Sequence, residues 1–120
     1  MTKQALIVDD SQTMREMVII CLETLGLDVD EASGGRSGLE KAKSKQFDII
    51  VTDQNMPGMD GLDLVRSLRL LPAYAKTPIL VLTTETSDEM KAAFRAAGAT
   101  GWMSKPFSPE RMTAAITKML

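Results

Sequence analysis

A doubly wound α/β fold, with five parallel strands in the order 2-1-3-4-5, is expected for this chain on three observations. Short apolar runs alternate five times with segments of helical periodicity. The connections are short, with no linker, internal repeat or low-complexity stretch. The strongest apolar runs show little polar alternation, as do strands buried on both faces of a parallel sheet. A chain of 120 residues has room for five such units and none for a sixth. Right-handed crossovers then put helices on both faces, giving a three-layer sandwich.

Each element has its own signature. Ala5–Val8 reads as the first strand. Met14, Met17, Val18, Cys21, Leu22 and Leu25 follow at the spacing of one helix face, which Gly26 ends. Asp28–Ala32 is a weaker, edge-like strand, and residues 34–45 form a short helix with Leu39 and Ala42 inward. Residues 48–52 are the third strand, running into Asp53 and then the turn formers Pro57, Gly58 and Gly61. Leu62, Val65 and Leu68 mark a third helix that ends before Pro72. Pro78 opens the strand of residues 79–82. Met90, Ala93, Phe94 and Ala97 make a fourth helix stopped by Gly98, and residues 100–104 form a fifth strand. Ser108, Pro109 and Glu110 supply a capping hydroxyl, a proline at the first helical position and an acid in the first turn. The last helix turns Met112, Ala115, Ile116 and Met119 inward.

Composition excludes several classes. Fourteen basic residues against sixteen acidic give a net charge of −2, too balanced to imply nucleic-acid or membrane-surface binding. The single Cys21 cannot form an internal disulfide, and with no histidine a Cys/His metal cluster is impossible. No apolar run suits a signal peptide or a membrane span. A single soluble, cytoplasmic, monomeric domain over residues 1–120 is expected.

In the 2-1-3-4-5 order, ligands bind outside the carboxyl ends of strands 1 and 3, at the switch point. Strand 1 ends in Asp9-Asp10 and strand 3 in Asp53. Strand 4 ends in Thr83-Thr84, and strand 5 runs into Lys105-Pro106. Taken singly, Asp53 reads as a turn residue, Asp10 as part of a helix cap beside Ser11, and Lys105 as a loop lysine. Their conjunction at one sheet edge changes that reading. Two carboxylates about 4 Å apart repel by roughly 4 kcal/mol at an effective dielectric near 20. Three therefore call for a cation. With oxygen ligands alone, Mg²⁺ or Ca²⁺ fits, and a partial cage open to waters and phosphate oxygens favours Mg²⁺.

The motifs LIVDDS (6–11), VTDQNMPGMDG (51–61), VLTTE (81–85) and MSKPF (103–107) together resemble the receiver domains of two-component response regulators. The stand-alone, CheY-like kind, which shares the flavodoxin-like strand order, is the nearest match, and the likeness covers the whole chain. It implies that Asp53 accepts a phosphoryl group and that the protein is a signalling protein, not an enzyme. By the same likeness Asp10 and Asp53 ligate Mg²⁺ directly, Asp9 acts through water, and the Asn55 backbone carbonyl supplies a further ligand. Thr83 and Lys105 would contact the phosphoryl oxygens. Trp102, three residues before Lys105, stands where relatives carry a switch aromatic. The implied output surface is the fourth helix, fifth strand and fifth helix, including Lys91, Arg95, Trp102 and Lys118.

Two features depart from the commonest pattern. Thr84 follows the switch threonine where Ala or Gly is frequent, narrowing access to the phosphate, and Trp102 is bulkier than Tyr. Asn55 and Glu85 resemble chemotaxis regulators at positions that tune hydrolysis. The resemblance thus implies a chemotaxis-type sensor histidine kinase as phosphodonor, a flagellar motor switch protein as output, and a phosphatase. The alternative is a phosphorelay shuttle or phosphate sink exchanging with a histidine phosphotransfer protein. A flavin binder would need a Ser/Thr/Gly-rich loop where this chain has DDSQTMRE. A haloacid dehalogenase-type phosphatase would need D-x-D after the first strand. No helix-turn-helix or other output domain is expected.

Overall fold

The computed structural model describes residues 2–120. Its sheet comprises β1 (Gln4–Val8), β2 (Asp28–Ala32), β3 (Ile49–Asp53), β4 (Ile79–Thr83) and β5 (Gly101–Ser104), all parallel and ordered β2-β1-β3-β4-β5. The helices are α1 (Gln12–Thr24), α2 (Gly35–Ser44), α3 (Gly61–Arg69), α4 (Asp88–Ala97) and α5 (Pro109–Met119). This is the doubly wound arrangement that the sequence predicts.

Strand alternation sorts the core into two layers. Leu6, Val8, Ile50, Ile79 and Val81 face one side, where Ala42 of α2, Leu64, Val65 and Leu68 of α3, and Phe94 and Ala97 of α4 cover them. Ala5, Ile7, Ile49, Val51, Leu80, Leu82 and Met103 face the other side, under Val18, Cys21 and Leu22 of α1 and Met112 and Ile116 of α5. The central strands β3 and β4 are buried along their whole length. Polar residues at their carboxyl ends therefore occupy a dry edge, where an uncompensated charge is costly.

Local signals set the helix ends. Ser11, Ser87 and Ser108 each accept a hydrogen bond from the backbone N–H three residues on. Asp60 and Asp63 form a reciprocal capping box at the start of α3. Gly98 closes α4 with φ of 99°, a left-handed conformation that glycine adopts without a side-chain penalty.

One element differs from expectation. After α3, Pro72–Tyr74 forms a single 3₁₀ turn. It drives Tyr74 into the core, where the hydroxyl lies 2.7 Å from Ala42 O and 2.6 Å from Lys45 O and accepts from the Phe47 N–H at 3.2 Å. Arg69 ties the same region to α4: its guanidinium donates to the carbonyls of Tyr74, Thr77 and Gly98. The inward face of α3 is also corrected. Leu64 is fully buried whereas Leu62 is only partly so.

Candidate functional site

The sheet brings Asp9, Asp10, Asp53, Thr83 and Lys105 to one edge. Asp9 follows β1, Asp53 ends β3, Thr83 ends β4 and Lys105 follows β5. The parallel register makes these ends neighbours: Val8 pairs with Thr52, Asp53 with Leu82, and Thr83 with Ser104. One carboxylate oxygen from each of Asp9, Asp10 and Asp53 lies within 4.8 Å of the other two.

The hydrogen bonds bear on Asp10's role. Ser11, not Asp10, caps α1, with its hydroxyl accepting the Met14 N–H at 3.2 Å. Asp10 is exposed, and its side chain is not spent on the helix end. Asp9 is fully buried and accepts the Ser11 N–H through Oδ1 at 2.9 Å. Its other oxygen, Oδ2, and Oδ1 of Asp53 are both buried and accept no hydrogen bond. Among the described residues only the Lys105 ammonium forms an ion pair with them, 3.9 Å from Asp9 and 2.5 Å from Asp53, without hydrogen-bond alignment. Burial raises the Asp9 carboxyl to about 6, and the charges of Asp53 and Asp10 add to the rise, while the Ser11 N–H and Lys105 oppose it.

Orphaned oxygens beside a single lysine leave the negative charge in excess. A hard divalent cation fits this oxygen-only donor set. Among the described residues no protein N–H donates to the Asn55 carbonyl, so that oxygen is also free to act as a ligand.

The remaining expected residues lie on β4, on β5 and in the loops that follow β3 and β4. The Thr83 side chain is buried, and its hydroxyl engages Glu85: it lies 3.1 Å from the carbonyl and accepts the N–H at 3.0 Å. Both contacts of this hydroxyl are therefore made within its own turn. Asn55 and Thr84 are exposed and joined side chain to side chain at 3.4 Å, so Thr84 stands beside Asn55. Trp102 is half-buried against α4, 5.9 Å from the Phe94 ring and under the Arg95 guanidinium at 5.1 Å. It faces the α3–α4 side of the sheet, and the neighbouring Met103 faces α1 and α5. By strand alternation Thr83 shares Trp102's face, two residues beyond its partner Val81.

Two residues escape a reading by motif. Arg15, one turn into α1, donates to the Asp9 carbonyl at 2.7 Å and pairs with Glu31 at 2.8 Å. Its place four residues after the Ser11 cap is the available signal, because helix side chains lean toward the N-terminus. Gln54, directly after Asp53, is buried and bonded to the start of α3. A groove of about 490 Å³ between Ser33–Ser37 and Pro57–Met59 includes none of the acidic cluster.

Comparison with known proteins gives the family. The response regulator receiver domain family matches residues 5–117, and the chain belongs to that family. It is a CheY-like receiver, as the motifs indicate. The chemotaxis protein CheY-3 of Vibrio cholerae is 37% identical over 115 residues, which cover 95% of this chain and 88% of the relative. CheY of Pseudomonas aeruginosa is likewise 37% identical, covering 95% of this chain and 93% of that protein. The high-resolution structure of the Vibrio cholerae chemotaxis response regulator CheY4 superposes with a TM-score of 0.95 at 44% identity, over 100% of both chains. A response regulator from Burkholderia multivorans, solved in solution, gives 0.81 at 47% identity over 98% and 94% of the two chains.

Proposed function

We propose that this response regulator is switched by phosphorylation of Asp53, with a phosphohistidine of a sensor kinase as donor. The observation that carries the reading is the pair of buried, unbonded oxygens on Asp9 and Asp53 facing a single ammonium group. A carboxylate oxygen of Asp53 attacks phosphorus, the phosphorus–nitrogen bond of the donor breaks, and the departing imidazole keeps that electron pair. Asp9, Asp10, Asp53 and the Asn55 carbonyl would hold Mg²⁺, which when bound supplies positive charge for the phosphoryl oxygens.

Lys105 would move from the Asp53 carboxylate to the phosphoryl oxygens, and the Thr83 hydroxyl would turn from Glu85 to donate to one of them. Trp102 would follow the space vacated on its own face of the sheet and alter the surface formed by α4, β5 and α5. Asn55 and Glu85 would flank the path of the hydrolytic water and set the lifetime of the acyl phosphate.

The names of the relatives favour a role in chemotaxis, with a motor switch protein as output. Incubation with acetyl phosphate and Mg²⁺, followed by peptide mass analysis, tests the core of the reading: a single phosphoryl group on Asp53, absent in Asp53→Asn. A label mapped to Asp9 or Asp10 would refute it. Pull-down with the phosphorylated protein, offering motor switch protein against histidine phosphotransfer domains, tests the output.

A further inference from the structure

The loop that carries Asn55 has little backbone bonding of its own. Among the described residues, no backbone-to-backbone hydrogen bond outside helices and strands is donated by Asn55, Met56, Gly58, Met59 or Asp60, and the Asp60 N–H donates to Asp63 Oδ2 at 3.4 Å. What closes it is Gln54, a buried residue with 5% of its surface exposed. Its Oε1 accepts the Leu62 N–H at 2.8 Å, and its Nε2 donates to Asp60 Oδ2 at 3.3 Å. Its backbone N–H donates to Leu82 O at 2.8 Å, and its carbonyl accepts the Gly61 N–H at 3.0 Å. Asp60 in turn caps α3 by accepting the Asp63 N–H at 2.9 Å. One amide therefore binds the last residue of the loop and the first turn of the next helix to the residue beside Asp53.

We infer that Gln54 is a positioning residue: its side-chain amide fixes the loop that carries the Asn55 carbonyl, the ligand proposed above, and thereby sets the affinity for Mg²⁺. The inference rests on the metal reading proposed above. Gln54 itself is turned toward α3 and need not touch the ion. Its amide has the right length for the two partners, since it spans from Leu62 to Asp60 while the main chain stays in the sheet register. A partner that orients a metal ligand commonly costs about 10-fold to 100-fold in affinity when removed.

The test uses Gln54→Met, which keeps the length and loses both hydrogen bonds, and Gln54→Asn, which keeps the amide but is one carbon short. Titration calorimetry with Mg²⁺ alone should show affinity about tenfold weaker in each variant. Labelling by acetyl phosphate should slow at low Mg²⁺ and recover at saturating Mg²⁺. Amide hydrogen exchange of residues 55–60 in metal-free protein should accelerate. Tyr74→Phe, remote from the loop, serves as a control for lost stability and should bind Mg²⁺ like the wild type. Wild-type affinity in folded Gln54→Asn or Gln54→Met would overturn the inference while leaving the metal reading intact. No Mg²⁺ binding by the wild-type protein would overturn the metal reading itself.

Discussion

The Lys105 ammonium stands 2.5 Å from Oδ1 of Asp53, closer than to Asp9 Oδ2 at 3.9 Å. One lysine thus occupies the position where a divalent cation would compete for the same oxygen. Lys105→Ala should remove that competition. Mg²⁺ binding, measured by calorimetry without phosphate, should tighten about tenfold, equivalent to ~1.4 kcal/mol. Weaker binding in the variant would show that Lys105 supports the metal site instead of competing with it.

Asp9 sets a pH dependence. Its carboxyl is raised from 3.8 to about 6, chiefly by burial, with Asp53 and Asp10 adding to the rise and the Ser11 N–H and Lys105 opposing it. Because the folded value exceeds the unfolded one, the stabilising contribution of this group is complete below about pH 4. It is lost as pH rises through about 6. In EDTA, urea denaturation should show the wild-type protein losing on the order of 2 kcal/mol from this group between pH 4 and pH 7.5. Asp9→Asn keeps an acceptor for Ser11 and should flatten the profile. Parallel profiles would refute the assignment.

Gly61 is required for space. A Cβ there would lie 2.6 Å from the Asp53 carbonyl oxygen and 2.8 Å from Gln54 Oε1. Gly61→Ala should destabilise by about 3 kcal/mol through overpacking and also slow labelling of Asp53. At Gly58, by contrast, φ is +75° with nothing within 4 Å of a Cβ, so Gly58→Ala should cost only about 1 kcal/mol, from backbone strain. Thermal denaturation of both variants checks the difference.

The proposed switch would be reported by Trp102. Beryllofluoride with Mg²⁺ should shift its fluorescence to shorter wavelength and shield it from iodide, and Thr83→Ala should reduce both effects. Arg95→Ala, by removing the cation over the ring, should change the unliganded spectrum. An emission spectrum identical with and without beryllofluoride would make Trp102 a static residue.

Tyr74→Phe should cost about 1–3 kcal/mol, because the Phe47 N–H and the carbonyls of Ala42 and Lys45 lose a buried partner. Labelling of Asp53 should be unchanged. A loss of labelling that persists where the variant is fully folded would mean that this end of α2 communicates with the site.

The strands and the acidic edge were legible because each depends on local pattern: apolar runs such as Ile49–Val51, and polar residues where those runs stop. Ser108 was legible as a cap for the same reason. The 3₁₀ turn at Pro72–Tyr74 was not, since LLPAY fits several short conformations. Tyr74 is committed inward by partners about 30 residues away, at Ala42, Lys45 and Phe47. Leu64 was overlooked because Leu62, Val65 and Leu68 also fit helical spacing. The observed face runs through Gly61, Leu64, Val65 and Leu68, with Gly61 packed closely on Asp53. The contacts of Arg15 and Gln54 were not read from a motif, since their partners at Asp9, Glu31, Asp60 and Leu62 are set by the fold, and only the place of Arg15 after the Ser11 cap gave a signal.

The poor apolar character of β2 has a use beyond marking the rim of the sheet. Asp28, Asp30 and Glu31 give this outer strand a charged border, and β5 at the opposite rim has only four residues before the chain reaches Lys105 and Pro106. Both borders are unattractive templates for a stranger's backbone. A domain with so strongly apolar a sheet is thereby guarded against edge-to-edge aggregation, while its surface helices stay open to other encounters.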